Sequence, residues 1–523
     1  MSSNAENNKK IAKNTLALYF RQIITMFVSL FTTRIILEQL GVEDFGIKNV
    51  VGGVVMMFSF LSSSVANAMN RFFSFELGKN DYDKLHKVFC LIMLTSIVIG
   101  IIIVILSQTF GLWWVNNKLI IPPERLEAAR WVFHASVLAF FISIINTPYL
   151  SLIIAHEKMS FFAKMSIVDV VGKLLVVCSL VFIPFDNLKA LAVLNCVMGA
   201  VMALIYRGYS IRNFSESKFR YYWDKSMFKE IISYASLSLF STTTRILQDQ
   251  GVNILLNMFY GPVVNAARGI AFSVNTALYS FSLNAMLAVN PQIVKSYASE
   301  NKEYMWSLII RSSKFYYFIL FTFSIPIFLE ARLVLQLWLG QVPLYSVDFL
   351  RLVLITSLIS VFLNPLGVLN GATGKIKLYT ITTSCIWLLV LPLAYIFCKN
   401  GYPPHVAFVI TIAATLGVLA VLITILKFQV NFPLRRYALS VVFPVVAVSV
   451  LSVILPAMIK YYANVSVLTS ITVVAVSLLC SISAVFFIGL NKVEKEFVVN
   501  KISFYVSNFF RKCSNHQILE EKK

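Results

Sequence analysis

Charge, histidine and paired cysteine are all scarce in this chain. Charged residues fill only 13% of its 523 positions, where an average soluble protein carries about 25%. With 58% of residues hydrophobic, a soluble fold could not cover its surface with polar groups. That excludes an ordinary soluble enzyme, a disordered chain and a nucleic-acid binder. The seven cysteines stand singly, with no CxxC or Cys/His cluster, and there are five histidines. Neither a disulfide framework nor a metal site is indicated, and no cofactor is expected. Also missing are a GxxxxGK[ST] phosphate loop, a GxGxxG after a strand and an HExxH pair. The longest connections, residues 107–130 and 207–229, are too short to fold a catalytic domain. No enzyme activity is expected, and ATP hydrolysis least of all.

Long apolar runs are what the chain has in excess. A membrane-spanning helix needs about 20 mostly apolar residues, and fourteen runs from 15–37 to 465–490 meet that ruler. Four of them are the least apolar: 15–37, 47–73, 231–259 and 263–290. Their continuity over such lengths predicts helices rather than barrel strands. Lys9, Lys10, Lys13, the 207–229 connection and the loops after even-numbered runs hold most of the 45 basic residues. The opposite loops hold Lys48, Lys118, Arg125, Arg130, Lys189, Arg332, Lys399 and Lys460. This bias places both termini in the cytoplasm, as an even helix count also requires. The first run contains Arg21 and Arg34 and has no small-residue cleavage site, so it does not read as a signal peptide.

The two halves of the chain resemble one another. Leu37-Glu38-Gln39-Leu40-Gly41 leads through a helix to Ala66-Asn67-Ala68-Met69-Asn70. Leu256-Asn257-Met258-Phe259-Tyr260-Gly261 leads likewise to Leu283-Asn284-Ala285-Met286 and Asn290. Gly41 to Asn70 and Gly261 to Asn290 both span 29 residues, so an offset near 220 maps helices 1–6 onto 7–12. The expected organisation is an N-terminal six-helix lobe over 1–206, a cytoplasmic inter-lobe loop over 207–230 and a C-terminal six-helix lobe over 231–427. Two further helices over 428–490 and a cytoplasmic amphipathic tail over 491–523 complete it.

These segments also carry a family resemblance. Thr33-Arg34-Ile35-Ile36-Leu37 with Gly41-Val42-Glu43-Asp44-Phe45-Gly46 resembles the start of the polysaccharide flippases. The stretch Gly261-Pro262-Val263-Val264-Asn265-Ala266-Ala267-Arg268-Gly269-Ile270-Ala271, with Asn290-Pro291-Gln292-Ile293, resembles their second half. The family is the Wzx-type oligosaccharidyl-lipid flippases of the MOP superfamily, whose relatives include the MATE drug exporters and the lipid II flippase. The resemblance implies an all-α integral membrane protein of about fourteen helices, with two pseudo-repeated six-helix lobes that open alternately. It also implies a central cavity for a polyprenyl-pyrophosphate-linked oligosaccharide, and a place in the bacterial inner membrane. Expected partners are that lipid-linked cargo, the membrane, and the polysaccharide polymerase and chain-length machinery.

A charge at mid-bilayer costs about 2.5–3.5 kcal/mol, so such residues face a cavity or a partner. Six basic residues fall inside the runs: Arg21, Arg34, Lys173, Arg245, Arg268 and Arg351. Two acids join them, and the i,i+4 spacing predicts the pairs Asp169–Lys173 and Arg245–Asp249. Setting these aside, Arg21, Arg34, Arg268 and Arg351 make the interior cationic. Arg suits a pyrophosphate through its planar, always-charged donor fork. Given the implied cargo, the candidate binding residues are Arg21, Arg34, Arg245 and Arg268, with Asn67, Asn70, Asn284 and Asn290 for sugar hydroxyls. The amides have helix-to-helix hydrogen bonding as their other reading, and Arg34, Arg268 and Arg351, near helix ends, have snorkelling to the interface as theirs. Gln248 is a further amide candidate, and Tyr19, Tyr279 and Trp387 are candidates for stacking on sugars. Asp249, Asp169 and Lys173 are candidates for ion coupling, Asp169–Lys173 reading equally as a structural ion pair. The competing function is a MATE-like ion-coupled drug exporter, which an interior richer in Arg than in acids disfavours.

Overall fold

A computed structural model describes residues 2–60, 62, 69, 72–73, 76–77, 79, 81–156, 158–463, 466–492 and 494–496; within its helices the side chains of 2–23, 230, 232–238, 241, 283–285, 287–288 and 291 are not described. Among the described residues every regular element is helical. Eleven helices there are long and apolar enough to cross a membrane. They correspond to the expected runs other than 47–73, 231–259 and 263–290, three of the four least apolar. Part of 47–73 lies outside the described residues. The other two are present as the 36-residue helix Lys225–Tyr260 and the 37-residue helix Pro262–Ala298. These two carry Arg245, Gln248, Asp249, Asn253, Asn265 and Arg268, which lowers their hydropathy. The tail beyond residue 496 lies outside the described residues.

Polar residues start the helices. Asp81, Asp186, Asp224, Asn301 and Ser466 each accept a hydrogen bond from a backbone N–H of the following first turn. Inside the spans, hydroxyls return to the preceding turn, as Thr95 does to the Leu91 carbonyl and Thr415 to that of Thr411. Apolar side chains such as Phe182, 85% exposed, and Phe443, 68% exposed, stand on the outside. In water they would be a liability, whereas a bilayer covers them.

The chain divides into two compact units. The first comprises Met1–Ser280, Val334–Ser360 and Thr373–Ile425. One of its cores gathers Phe73, Phe89, Tyr149 and Leu152; another gathers Ile47, Val50, Phe133 and Leu188. Arg125 ties down Asp44 and Asp186 together, with Nε donating to Asp44 Oδ1 at 2.8 Å. Near the 207–229 connection, His156 Nε2–H donates to buried Glu216 at 2.6 Å while its ring stacks on Phe214. The second unit comprises Phe281–Leu333, Val361–Ala372 and Leu426–Lys523. There Tyr317 stacks on Phe321 and Phe362 and shares a hydrogen bond with Ser449.

Two glycines 220 residues apart hold the same unusual backbone. Gly41 has φ 76° and ψ 173°, and Gly261 has φ 79° and ψ −177°. Each turns one helix into the next within a single residue, which is why glycine stands at both positions. Because of that turn, residues after Gly41 are helical at once, and Lys48 is not in a loop as its place in the charge pattern suggested. The helix after Gly41 runs against the start of the helix after Gly261. A Cβ on Gly46 would lie 1.9 Å from the Pro262 carbonyl oxygen, and one on Gly269 would lie 2.6 Å from Asn49 Nδ2.

Candidate functional site

That close crossing opens onto a cavity of about 790 Å³ within the first unit. Its polar lining includes Thr25, Ser29, Lys48, Asn49, Asp249 and Arg268. A second cavity of about 500 Å³ shares Met56, Asp249, Gln250, Arg268 and Phe272 with the first. Its own wall adds Arg245, Gln248, Asn275, Tyr279 and Trp387. Arg268 and Asp249 therefore stand where the two chambers meet.

Arg268 is buried, and its Nη2 donates to Asp249 Oδ1 at 2.5 Å and to the Asp249 carbonyl at 3.0 Å. Its guanidinium carbon lies 4.2 Å from the centre of the Phe272 ring. The Arg268 Nε–H is buried without a hydrogen-bond partner among the described residues. A buried donor left unfilled costs about 1–3 kcal/mol. The expected Arg245–Asp249 pair is thus replaced: Asp249 belongs to Arg268, from the neighbouring helix. Arg245 instead lies over Trp387, 5.3 Å from the ring centre, and is exposed to its chamber. An i,i+4 spacing permits contact along one helix, but the close crossing at Gly269 brings a second cation to the same carboxylate.

Lys48 is the residue that loop-based reading missed. It lines the larger chamber beside Asn49 and lies 5.6 Å from the Phe45 ring centre. The 220-residue offset would have found it, since it maps Lys48 onto Arg268 and Asn49 onto Gly269. The equivalent positions 49 and 269 touch, so Lys48 and Arg268 flank the crossing as counterparts. Among the described residues, the chambers hold three cations, Lys48, Arg245 and Arg268, against the carboxylate of Asp249.

The remaining candidates divide. Tyr279, Trp387 and Gln248 line the second chamber. Asp169 and Lys173 form their expected pair at 2.8 Å, and Asp169 lines a third cavity of about 430 Å³. Arg34 is exposed and lines none of these cavities. Asn290 lies in the second unit, its Oδ1 buried without a hydrogen-bond partner among the described residues. The side chains of Tyr19, Arg21 and Asn284, and residues Asn67 and Asn70, lie outside the described residues. The amides seen at the crossing serve the helices: Asn265 Nδ2 donates to the Asn253 carbonyl at 2.7 Å, and Asn253 Nδ2 to the Asn49 carbonyl at 3.3 Å. No cluster of His, Cys, Asp and Glu among the described residues could hold a metal ion.

Comparison with known proteins follows the same lines. Residues 11–300 match the family model described as polysaccharide biosynthesis protein. No curated protein sequence matches the chain. The fold is similar to that of the lipid II flippase MurJ in an inward closed conformation, with TM-score 0.69 and 12% identity over 90% of this chain and 98% of that one. It is also similar to an inward-facing multidrug-resistance MATE transporter of the MOP superfamily, with TM-score 0.59 and 14% identity over 77% and 96% of the two chains. A MOP-superfamily transporter from Pyrococcus furiosus aligns with TM-score 0.56 and 14% identity over 80% and 96%. At such identities these likenesses establish the fold.

Proposed function

The chain belongs to the polysaccharide biosynthesis protein family, and from that premise we propose that it flips a polyprenyl-pyrophosphate-linked oligosaccharide across the bacterial inner membrane. The observation that carries this reading is the excess of cations in the two joined chambers. Lys48, Arg245 and Arg268 face one carboxylate, and a pyrophosphate would supply the missing negative charge. Arg268 and Lys48 line the larger chamber together, as counterparts across the crossing. Tyr279 and Trp387 supply flat faces of the kind that sugars stack upon.

Asp249 occupies Arg268 as an incoming phosphate would. Cargo and carboxylate compete for one guanidinium, so binding of the anion frees Asp249 to take up a proton or cation. That exchange is our reading of the coupling step, and Asp169–Lys173 serves as a structural pair. Alternate opening of two six-helix lobes, bounded near residues 206 and 231, then moves the head group between leaflets. The O-antigen, capsule and exopolysaccharide repeat units all fit this chemistry.

The test is translocation of a fluorescent polyprenyl-pyrophosphate oligosaccharide in proteoliposomes containing the full chain. Transport by the wild type, reduced in Arg268→Gln and Lys48→Gln at unchanged thermal stability, is the expected result. Transport that survives both substitutions rejects the cationic seat. Export of an organic cation with no glycolipid movement assigns the drug-exporter activity instead.

A further inference from the structure

A separate polar cavity of about 400 Å³ lies at one end of the second unit. Three parts of the chain build it: the beginning of the Lys302–Leu329 helix, the segment from Arg436 to Pro444, and the segment from Ile488 to Asn491 with Glu494. Ser307, Arg311 and Lys314 share one face of their helix by their spacing. The other two segments pass through π-helical turns at Ala438–Val442 and Val485–Gly489. Each such turn holds an extra residue, and π-turns recur at binding sites.

The charges in this cavity do not cancel. Lys314 is 3% exposed, and its Nζ donates to Glu494 Oε2 at 2.8 Å and to the Gly489 carbonyl at 3.3 Å. That leaves its third N–H without an acceptor among the described residues. Glu494 is held by the Asn491 N–H at 2.9 Å, and Arg311 Nε comes only to 4.0 Å from its other oxygen. Arg436 meets Glu303 at 2.9 Å, on a carboxylate that is itself 80% exposed. Among the described residues, Arg311, Lys314 and Arg436 line the cavity against the carboxylate of Glu494, an excess of positive charge that a phosphodiester reduces. Leu439 and Ile488, which line the cavity, are exposed apolar side chains, as are Phe443 and Phe487 next to its lining segments in sequence, a surface that acyl chains cover.

We propose that this cavity binds a phosphodiester group, supplied by an anionic phospholipid of the adjacent leaflet, with Arg311, Lys314 and Arg436 as donors. A basic pocket between helices at the membrane interface recognises lipid head groups in this way. The site involves none of the residues assigned to cargo, so it stands whether or not the chain moves a glycolipid.

The experiment is native mass spectrometry of the full chain in detergent, loaded with phosphatidylglycerol or phosphatidylcholine of matched acyl chains. Arg311→Gln and Arg436→Gln are the variants, because both side chains are about half exposed and tolerate truncation. Lys427→Gln, outside the cavity, is the control. Preferential retention of phosphatidylglycerol, weakened about fivefold by each arginine variant and unchanged in the control, is expected. Equal retention of the two lipids, or a preference untouched by both variants at unchanged melting temperature, overturns the proposal. Glycerophosphoglycerol, the head group without acyl chains, separates the two sources of phosphate. Failure to displace the lipid at equal concentration supports the leaflet as source, and full displacement rejects it in favour of a soluble phosphate.

Discussion

Arg268 shows how one side chain can be both structural and functional. Its ion pair to Asp249 anchors two helices, and the same residue lines both chambers. Charge-assisted hydrogen bonds contribute about 1.5–3 kcal/mol, so Arg268→Gln should weaken pyrophosphate-glycolipid binding about tenfold or more. Lys48→Gln should do so less, and Lys48→Arg should restore binding; a binding titration in detergent measures all three. Outside the membrane spans, Glu216 carries a pH dependence. Burial pushes its carboxyl up, but hydrogen bonds from His156 and Ser215 and the nearby imidazole more than offset this, holding it below the usual 4.5. The folded chain therefore binds this proton less readily than the unfolded one. The stabilisation is complete above pH 4.5 and is lost as pH falls through the lower folded value. Thermal melts from pH 6 down should show an acid limb that is shallower in Glu216→Gln.

At the scale of helices, apolar length was legible wherever lipid is the only environment. The runs 231–259 and 263–290 were the harder ones because their helices face the polar chambers, which trades hydropathy for Arg, Asp and Asn. Glycine supplied a sharper signal than greasiness, since Gly41 and Gly261 punctuate both halves at the same offset. The two kinds of glycine at the crossing predict different outcomes. Gly41 has open space where a Cβ would go, so Gly41→Ala meets only the cost of a positive-φ, extended-ψ backbone that essentially glycine alone adopts, about 1–3 kcal/mol. Gly46→Ala would drive a Cβ into the Pro262 carbonyl, so the crossing must separate and the chamber with it. Detergent melts should show a modest loss for Gly41→Ala, and Gly46→Ala should fail to yield a monodisperse protein. Equal behaviour of the two would sink this account of the crossing.

For the molecule as a whole, the charge bias commits to an orientation. Lys118 and Lys218 belong to loops expected on opposite faces of the membrane. With native cysteines replaced, Lys118→Cys should react with an impermeant thiol reagent from the periplasmic side of intact spheroplasts. Lys218→Cys should react only in inverted vesicles, and labelling of both from one side would overturn the orientation. The same scale explains what pairwise spacing could not resolve. Asp169–Lys173 lies along one helix and was legible as an i,i+4 pair, whereas Arg268–Asp249 joins residues on two helices.

Composition and the length of its apolar runs alone settled that this chain is a helical membrane protein, because the bilayer's thickness and its lack of hydrogen-bonding partners leave few other options. The glycine offset of 220 residues pointed to two like turns, and Gly41 and Gly261 hold the same backbone conformation. Only the tertiary structure decided which charges share a chamber. It withdrew Lys48 from a loop, moved Asp249 from Arg245 to Arg268, and set Arg245 over Trp387. Those outcomes depend on how closely two backbones approach at Gly46 and Gly269, and side-chain volume at a crossing is expressed only once the helices are packed.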